Sequence, residues 1–241
     1  MIMKKIFYLV LCGLMFTVDT NAQMVTSQEV EEVANTVYGI DKDDLGWKER
    51  AKEAVDKGII SLDQNNALQY TEVINCNNTS KEQLYVILNY WFTQTFNDAN
   101  SVIKLNDKEL GTIIGQGYLD VAKHIGGMNI YDVSIRPIIK CDIKPGKIRV
   151  TYTVQAFEVT KTEGGGGWGG LFNNRNQIQK VTSNWPFAMT YPFVEKPKMQ
   201  YKAPKATSKG LIMAAVMSEV LLNKIKKAVQ DGISGNETDE W

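Results

Sequence analysis

The chain has 241 residues, with 27 Lys plus Arg against 27 Asp plus Glu, one His and three Cys. A formal net charge of zero removes the general electrostatic pull that grips a phosphate backbone without sequence preference, and a single imidazole leaves no pair for a histidine-rich metal site. Length and a 44% hydrophobic content suit one or two globular domains.

Residues 1–22 read as an export signal rather than as structure. Lys4 and Lys5 precede an apolar run from Ile6 to Phe16, and Thr20-Asn21-Ala22 sets small residues before a cleavage point at Gln23. Asp19 interrupts the run well short of the roughly 20 apolar residues of a membrane span. Cys12 lies inside the run and is followed by Gly13, which does not fit a lipid-attachment signal. The remaining chain holds 25 basic and 26 acidic residues and no other stretch of spanning length, so a periplasmic or secreted protein without a transmembrane span is expected after processing near Ala22. Two cysteines stay with it. An oxidising compartment would allow Cys76 and Cys141 to bridge, yet both sit in alternating apolar segments where a thiol packs as a small hydrophobe, and the pairing stays open.

Two amphipathic patterns follow, Val30, Val33, Ala34 and Val37 behind Ser27, then Trp47, Ala51, Ala54 and Val55 ahead of Gly58; together they predict a helical hairpin. Its joint, Asp41 to Gly46, has acids in alternation, but Leu45 and Lys52 stand where a calcium loop needs oxygen ligands, so a solvated connection is expected. From Gly58 the hydrophobic period becomes two, giving strands at 59–62 and 68–76 around the turn Asp63 to Asn66. Ser80 and Gln83 form a capping box ahead of a helix carrying Leu84, Ile87, Leu88 and Trp91 on one stripe.

Strands are next expected at 102–105 and 112–123, the latter loosened by Gly115 and Gly117. The clearest alternation runs through Tyr131, Val133, Ile135, Ile139, Cys141 and Ile143, with Pro137 forcing a bulge or an unpaired position near Arg136. Lys144-Pro145-Gly146-Lys147 is a tight turn, and a last strand covers 148–159. Residues 161–206 look unlike the rest: a glycine run at 164–170, seven aromatics, four prolines, and seven basic residues against two acids. Neither helix nor sheet is expected across such punctuation. Trp185, Tyr191 and Phe193 are expected to pack along the domain edge, whereas Trp168, Phe172 and Arg175 are the candidates for contacting a partner. A helix then runs from about 207 to 229, ahead of a frayed tail. The chain thus divides into a signal at 1–22, a helical hairpin at 23–58, a sheet domain with its first covering helix at 59–160, a basic glycine-aromatic segment at 161–206, and a helix with tail at 207–241.

Tyr70-Thr71-Glu72-Val73, Ser80 through Tyr85, Trp91-Phe92, Asp107-Lys108-Glu109 and Ile113 through Gly117 occur in an order that resembles a family of exported bacterial proteins sharing a domain of unknown function, the resemblance covering about 66–160. It implies a TATA-box-binding-protein-like α+β fold, strand, helix, four strands and helix, with an antiparallel sheet bearing its helices on one face. It brings no catalytic residues.

Chemistry is otherwise sparse. His124 has no Gly-x-Ser-x-Gly partner motif, no zinc-ligand spacing occurs, and no Gly-Lys-Ser or Gly-Lys-Thr follows the glycine run. No cofactor and no nucleic-acid partner is expected. The expectation is an exported, non-enzymatic binding protein of the cell envelope whose partner is a protein, a glycan or an envelope polymer. The alternative is an envelope hydrolase with carboxylates assembled across the sheet, which requires a deep pocket lined by acids from different elements.

Overall fold

Three long strands, each bent in the middle, organise the fold. In the computed structural model, which describes residues 27–38, 46–96, 102–126, 129–163 and 179–238, the described residues form four α-helices and nine strands. In chain order these are α1 (Ser27–Tyr38), α2 (Trp47–Asp56), β1 (Leu68–Asn75), α3 (Lys81–Thr95), β2 (Ile103–Asp107), β3 (Thr112–Gln116), β4 (Leu119–Gly126), β5 (Asn129–Ile135), β6 (Ile138–Lys144), β7 (Lys147–Val154), β8 (Ala156–Glu163), β9 (Gln179–Pro186) and α4 (Pro204–Thr238). One antiparallel sheet has the order β1-β7-β6-β3-β2 and a second the order β4-β5-β8-β9. The central order β7-β6-β3 of the first continues as β8-β5-β4 in the second, so each of the three long strands crosses from one sheet to the other.

The crossings fall at Gly117-Tyr118, Arg136-Pro137 and Gln155. Pairing between β3 and β6 stops at Gln116↔Ile138 and resumes between β4 and β5 at Leu119↔Ile135. Between β6 and β7 it stops at Ile138↔Thr153, and between β5 and β8 it restarts at Ile135↔Phe157, so the β7–β8 strand skips one residue more than its neighbour. That surplus bends the layer as a bulge does. Pro137 has no N–H to give to a ladder, and its carbonyl instead accepts from the Gly117 N–H at 2.9 Å. The interruption expected near Arg136 is therefore present, and it is part of a seam across the whole layer.

The four strands expected between α3 and α4 correspond to β2 and the three long strands, each of the latter divided in two by the seam. β9 was not expected. Val181, Thr182 and Trp185 give it enough β-forming character to pair with β8 over its full length, from Glu163↔Gln179 to Ala156↔Pro186, and its proline comes last, where no further ladder bond is needed. The expected strand at 59–62 is reduced to one bridge, Leu62↔Leu68. Asp63 bends the chain there, its carboxylate accepting from the N–H groups of Asn65 and Ala67 at 2.8 and 2.9 Å.

The capping box forms as the sequence implies. Ser80 Oγ accepts from Gln83 N at 3.2 Å, and Gln83 Oε1 accepts from Ser80 N at 2.9 Å. Leu84, Ile87, Leu88, Trp91 and Phe92 turn inward from α3. Gly115 has a packing reason rather than a loosening role, because a Cβ there would lie 2.5 Å from the Phe92 ring. The chain turns at Gly146, whose φ of +75° follows Pro145 as a proline-glycine turn requires.

α4 is longer than its apolar repeat suggests, and residues 210–218 are buried on every side. That all-round burial follows from position: the sheets lie on one side, with Tyr152 Oη donating to the Ala214 carbonyl at 3.0 Å, while α1, α2 and α3 also pack against it. Where α4 approaches the second sheet, a Cβ on Gly210 would lie 2.8 Å from Phe157 and 3.2 Å from Val121. Val30 and Ala34 of α1 are fully buried, and α1 is tied to α4 by the ion pairs Glu29–Lys224 at 2.9 Å and Glu31–Lys209. Trp185 is buried and Tyr191 and Phe193 are half-buried, as expected, with Tyr191 Oη donating to the Lys48 carbonyl at 3.4 Å. No helix among the described residues is long and apolar enough to cross a membrane.

Cys76 and Cys141 are both buried and both free. Burial pushes the Cys141 thiol up to about 12 and raises that of Cys76 as well. Both thiols should be silent to a thiol-exchange reagent at pH 8 in the folded protein and react fully in denaturant. Prompt reaction of either in the native state contradicts this packing.

Candidate functional site at the sheet seam

On the face opposite α3 and α4 the seam opens a shallow cavity of about 170 Å³, lined by Gln116, Arg136, Ile138, Gln155, Ala156, Glu158 and Asn184. Its position follows from the strand breaks. Arg136 and Gln155 lie in the interruptions, Gln116, Ile138 and Ala156 border them, and Asn184 and Glu158 reach the cavity from the paired strands β9 and β8. Strand alternation sends their neighbours Gly115, Ile139, Phe157 and Trp185 into the core, and so points these side chains outward.

One fixed ion pair shapes the floor. Arg136 Nε donates to Glu158 Oε2 at 2.8 Å and its Nη2 to Oε1 at 3.0 Å, a side-on bidentate pair that links β5 to β8 at the bend. The guanidinium lies 5.2 Å from the centre of the Tyr118 ring. Tyr118 Oη donates to Asp120 Oδ1 at 2.5 Å, and Ser134 Oγ donates to the Glu158 carbonyl at 3.2 Å.

These contacts set the protonation states. The Arg136 hydrogen bonds hold the Glu158 carboxyl below its usual 4.5, against the opposing effect of burial. Burial, with the hydrogen bond to Asp120 adding to it, raises the Tyr118 phenol. Near neutrality the seam therefore presents an ionised acid–base pair and a neutral phenol. Among the described residues Glu158 is the only acid in the cavity wall, so these residues do not assemble the two-carboxylate arrangement of the hydrolase alternative there. Among the described residues no three His, Cys, Asp or Glu converge as metal ligands.

Because the folded-state pKa of Glu158 is depressed, the stability it contributes is present above 4.5 and is lost as pH falls through the folded value. Replacing Arg136 by Gln should lower Tm at pH 6, and the gap to the parent chain should narrow steadily as pH falls below 4.5. A gap independent of pH means that Arg136 stabilises the seam through packing alone.

The same face carries further ion pairs. Burial by itself would raise the Asp142 carboxyl, but hydrogen bonds from Arg149, Lys140 and Thr112 outweigh it and hold it below 3.8. Arg149 lies 2.7 Å and Lys140 3.0 Å from that carboxylate, and Lys123 lies 3.7 Å from Asp132.

Sequence reasoning placed the binding candidates elsewhere. Trp168, Phe172 and Arg175, like the signal segment, the Asp41 to Leu45 joint and the glycine run, lie outside the described residues. His124 falls in β4 opposite Tyr131. Gln155, Glu158 and Asn184 belong to no motif, and Gln116 belongs only to the 113–117 stretch that carries the family resemblance; the only hint of the cavity itself in the sequence is Pro137, placed to interrupt a strand.

With this geometry in hand, comparison with known proteins places the central segment. Residues 70–157 match the family model described as a domain of unknown function (DUF4468) with TBP-like fold. This segment is similar to that domain over somewhat more than a third of the chain. It contains β1, α3, the seam and the cavity residues Gln116, Arg136, Ile138, Gln155 and Ala156, while Glu158, Asn184 and α4 follow it. A crystal structure of a TBP-like protein from Parabacteroides distasonis is similar at 12% identity and a TM-score of 0.43, over 70% of this chain and 96% of that one. One of a DUF4468 family protein from Bacteroides ovatus is similar at 15% identity and a TM-score of 0.40, over 77% and 96%. No curated protein sequence matches the chain.

Proposed function

We propose that this protein is an exported, non-enzymatic binding protein of the bacterial cell envelope, acting in the periplasm or outside the cell on a protein, glycan or envelope polymer. The observation that carries this reading is the seam cavity: a recess on the face opposite the helices, rich in hydrogen-bonding side chains, whose one acid is locked to an arginine. Such a recess suits recognition better than proton transfer. The leader-like pattern at 1–22 supports export. A formal net charge of zero gives the chain no general pull on a phosphate backbone, which supports a partner other than nucleic acid. Trp168, Phe172 and Arg175 are proposed as a second contact, in the basic segment that joins β8 to β9.

The test has two parts. Mass spectrometry of the extracytoplasmic fraction should find a mature N-terminus at Gln23; an intact Met1 on a cytoplasmic protein would end the export reading. Pull-down from envelope extract with the mature chain, and with a chain lacking residues 164–170, should retrieve a partner with the first and less of it with the second. Equal recovery removes Trp168 and the glycine run from the binding role.

A further inference from the structure

The seam cavity is too small for a drug-sized or nucleotide-sized ligand, which occupies roughly 300–1,000 Å³. At about 170 Å³ it has room for a single ring or side chain presented by something larger. Its charge sums to zero, since Arg136 and Glu158 neutralise each other, and so it offers no net attraction to an anion or a cation. What it offers is hydrogen-bonding capacity of both signs. The carboxamides of Gln116, Gln155 and Asn184 each carry a donor and an acceptor end. Arg136 gives two of its five donors to Glu158, and the carboxylate keeps lone pairs beyond the two it uses.

A hydroxyl both donates and accepts, so a group bearing several of them can give hydrogen bonds to Glu158 and take them from Arg136 and the amides at once. Ile138 and Ala156 supply an apolar wall for the C–H edge of such a ring. An extended peptide fits less well. Strand addition needs an open sheet edge, and most of this cavity lies over strands already paired on both sides.

We infer that the seam cavity binds one uncharged sugar residue of a neutral glycan. This rests on the binding-protein reading and narrows it to one ligand class. The experiment uses the mature chain, saturation-transfer NMR and calorimetry, with glucose, galactose and N-acetylglucosamine as probes, alone and as β-linked tetramers. At least one sugar should receive saturation and bind. The double substitution Gln155→Ala with Asn184→Ala should weaken that binding at least tenfold while leaving Tm within a few degrees. A tetramer binding at least tenfold tighter than its monomer identifies polymer as the source, and equal affinities identify free sugar; either supports the site.

Binding that the double substitution leaves unchanged overturns the assignment to this cavity, and a panel with no binder at millimolar concentration overturns the sugar class. If in that second case the parent chain retrieves from envelope extract a protein that the double variant does not, the binding reading stands and the sugar assignment falls. If nothing is retrieved, both fall. Should the double variant not fold, Gln155→Glu, which adds one negative charge to the cavity wall, is read in the same way.

Discussion

Truncating Phe92 to alanine should destabilise the protein by about 3–5 kcal/mol, the usual cost of removing a fully buried phenylalanine. For a chain of this size that lowers Tm by roughly 6–20 °C. The ring has no exposed surface; it meets Trp91 edge-on at 4.9 Å between centres and Phe96 in a stack at 5.8 Å, and it presses on the backbone of β3 at Gly115. Nothing around it can collapse into the space without moving either α3 or the sheet. A double-substitution cycle sharpens the test. Gly115→Ala alone puts a Cβ 2.5 Å from that ring and should cost about 1–3 kcal/mol as overpacking. With Phe92 already truncated, the same Cβ enters vacated space and should cost much less, giving a coupling above about 1 kcal/mol in urea unfolding. Additive effects would mean that α3 does not meet β3 at this point.

Gly210→Val should cost about 2–3 kcal/mol. Helix propensity alone argues the other way, since glycine inside a helix is about 1 kcal/mol worse than alanine. At this position the approach of α4 to the second sheet decides the sign. A Cβ would lie 2.8 Å from Phe157, which is itself buried and held edge-on by Phe187 at 4.6 Å, and 3.2 Å from Val121. The ring has no empty volume to retreat into, so the backbone of α4 must lift off β4 and β8. Gly210→Ala is the discriminating control. A stabilising alanine, read as a rise in the urea midpoint, would show that α4 sits farther from the sheet.

Much of the fold was legible along the chain because local signals and global pattern agree. The Ser80–Gln83 capping box, the helix behind it, the alternation from Tyr131 to Ile143 and the Pro145-Gly146 turn each act within a few residues, and each forms. The seam was half legible. Pro137 announces an interruption at its own position, but that its neighbours break at the same level depends on register, which no single strand carries. β9 was hidden because its glycine-rich and proline-rich flanks dominate any window wide enough to show a pattern, whereas eight residues suffice once β8 supplies a template.

By itself, then, the sequence determined the α+β class, the antiparallel rhythm, the places where helices begin and the absence of a familiar catalytic motif, since all of these follow from spacing over a few residues. The tertiary structure alone decided that three strands bend together, that Gly115 and Gly210 are glycines because a ring lies against each, and that Arg136 meets Glu158, 22 residues away, beside three amides. Those facts depend on which distant segments share a level in the sheet, and long-range pairing, rather than local preference, sets that level.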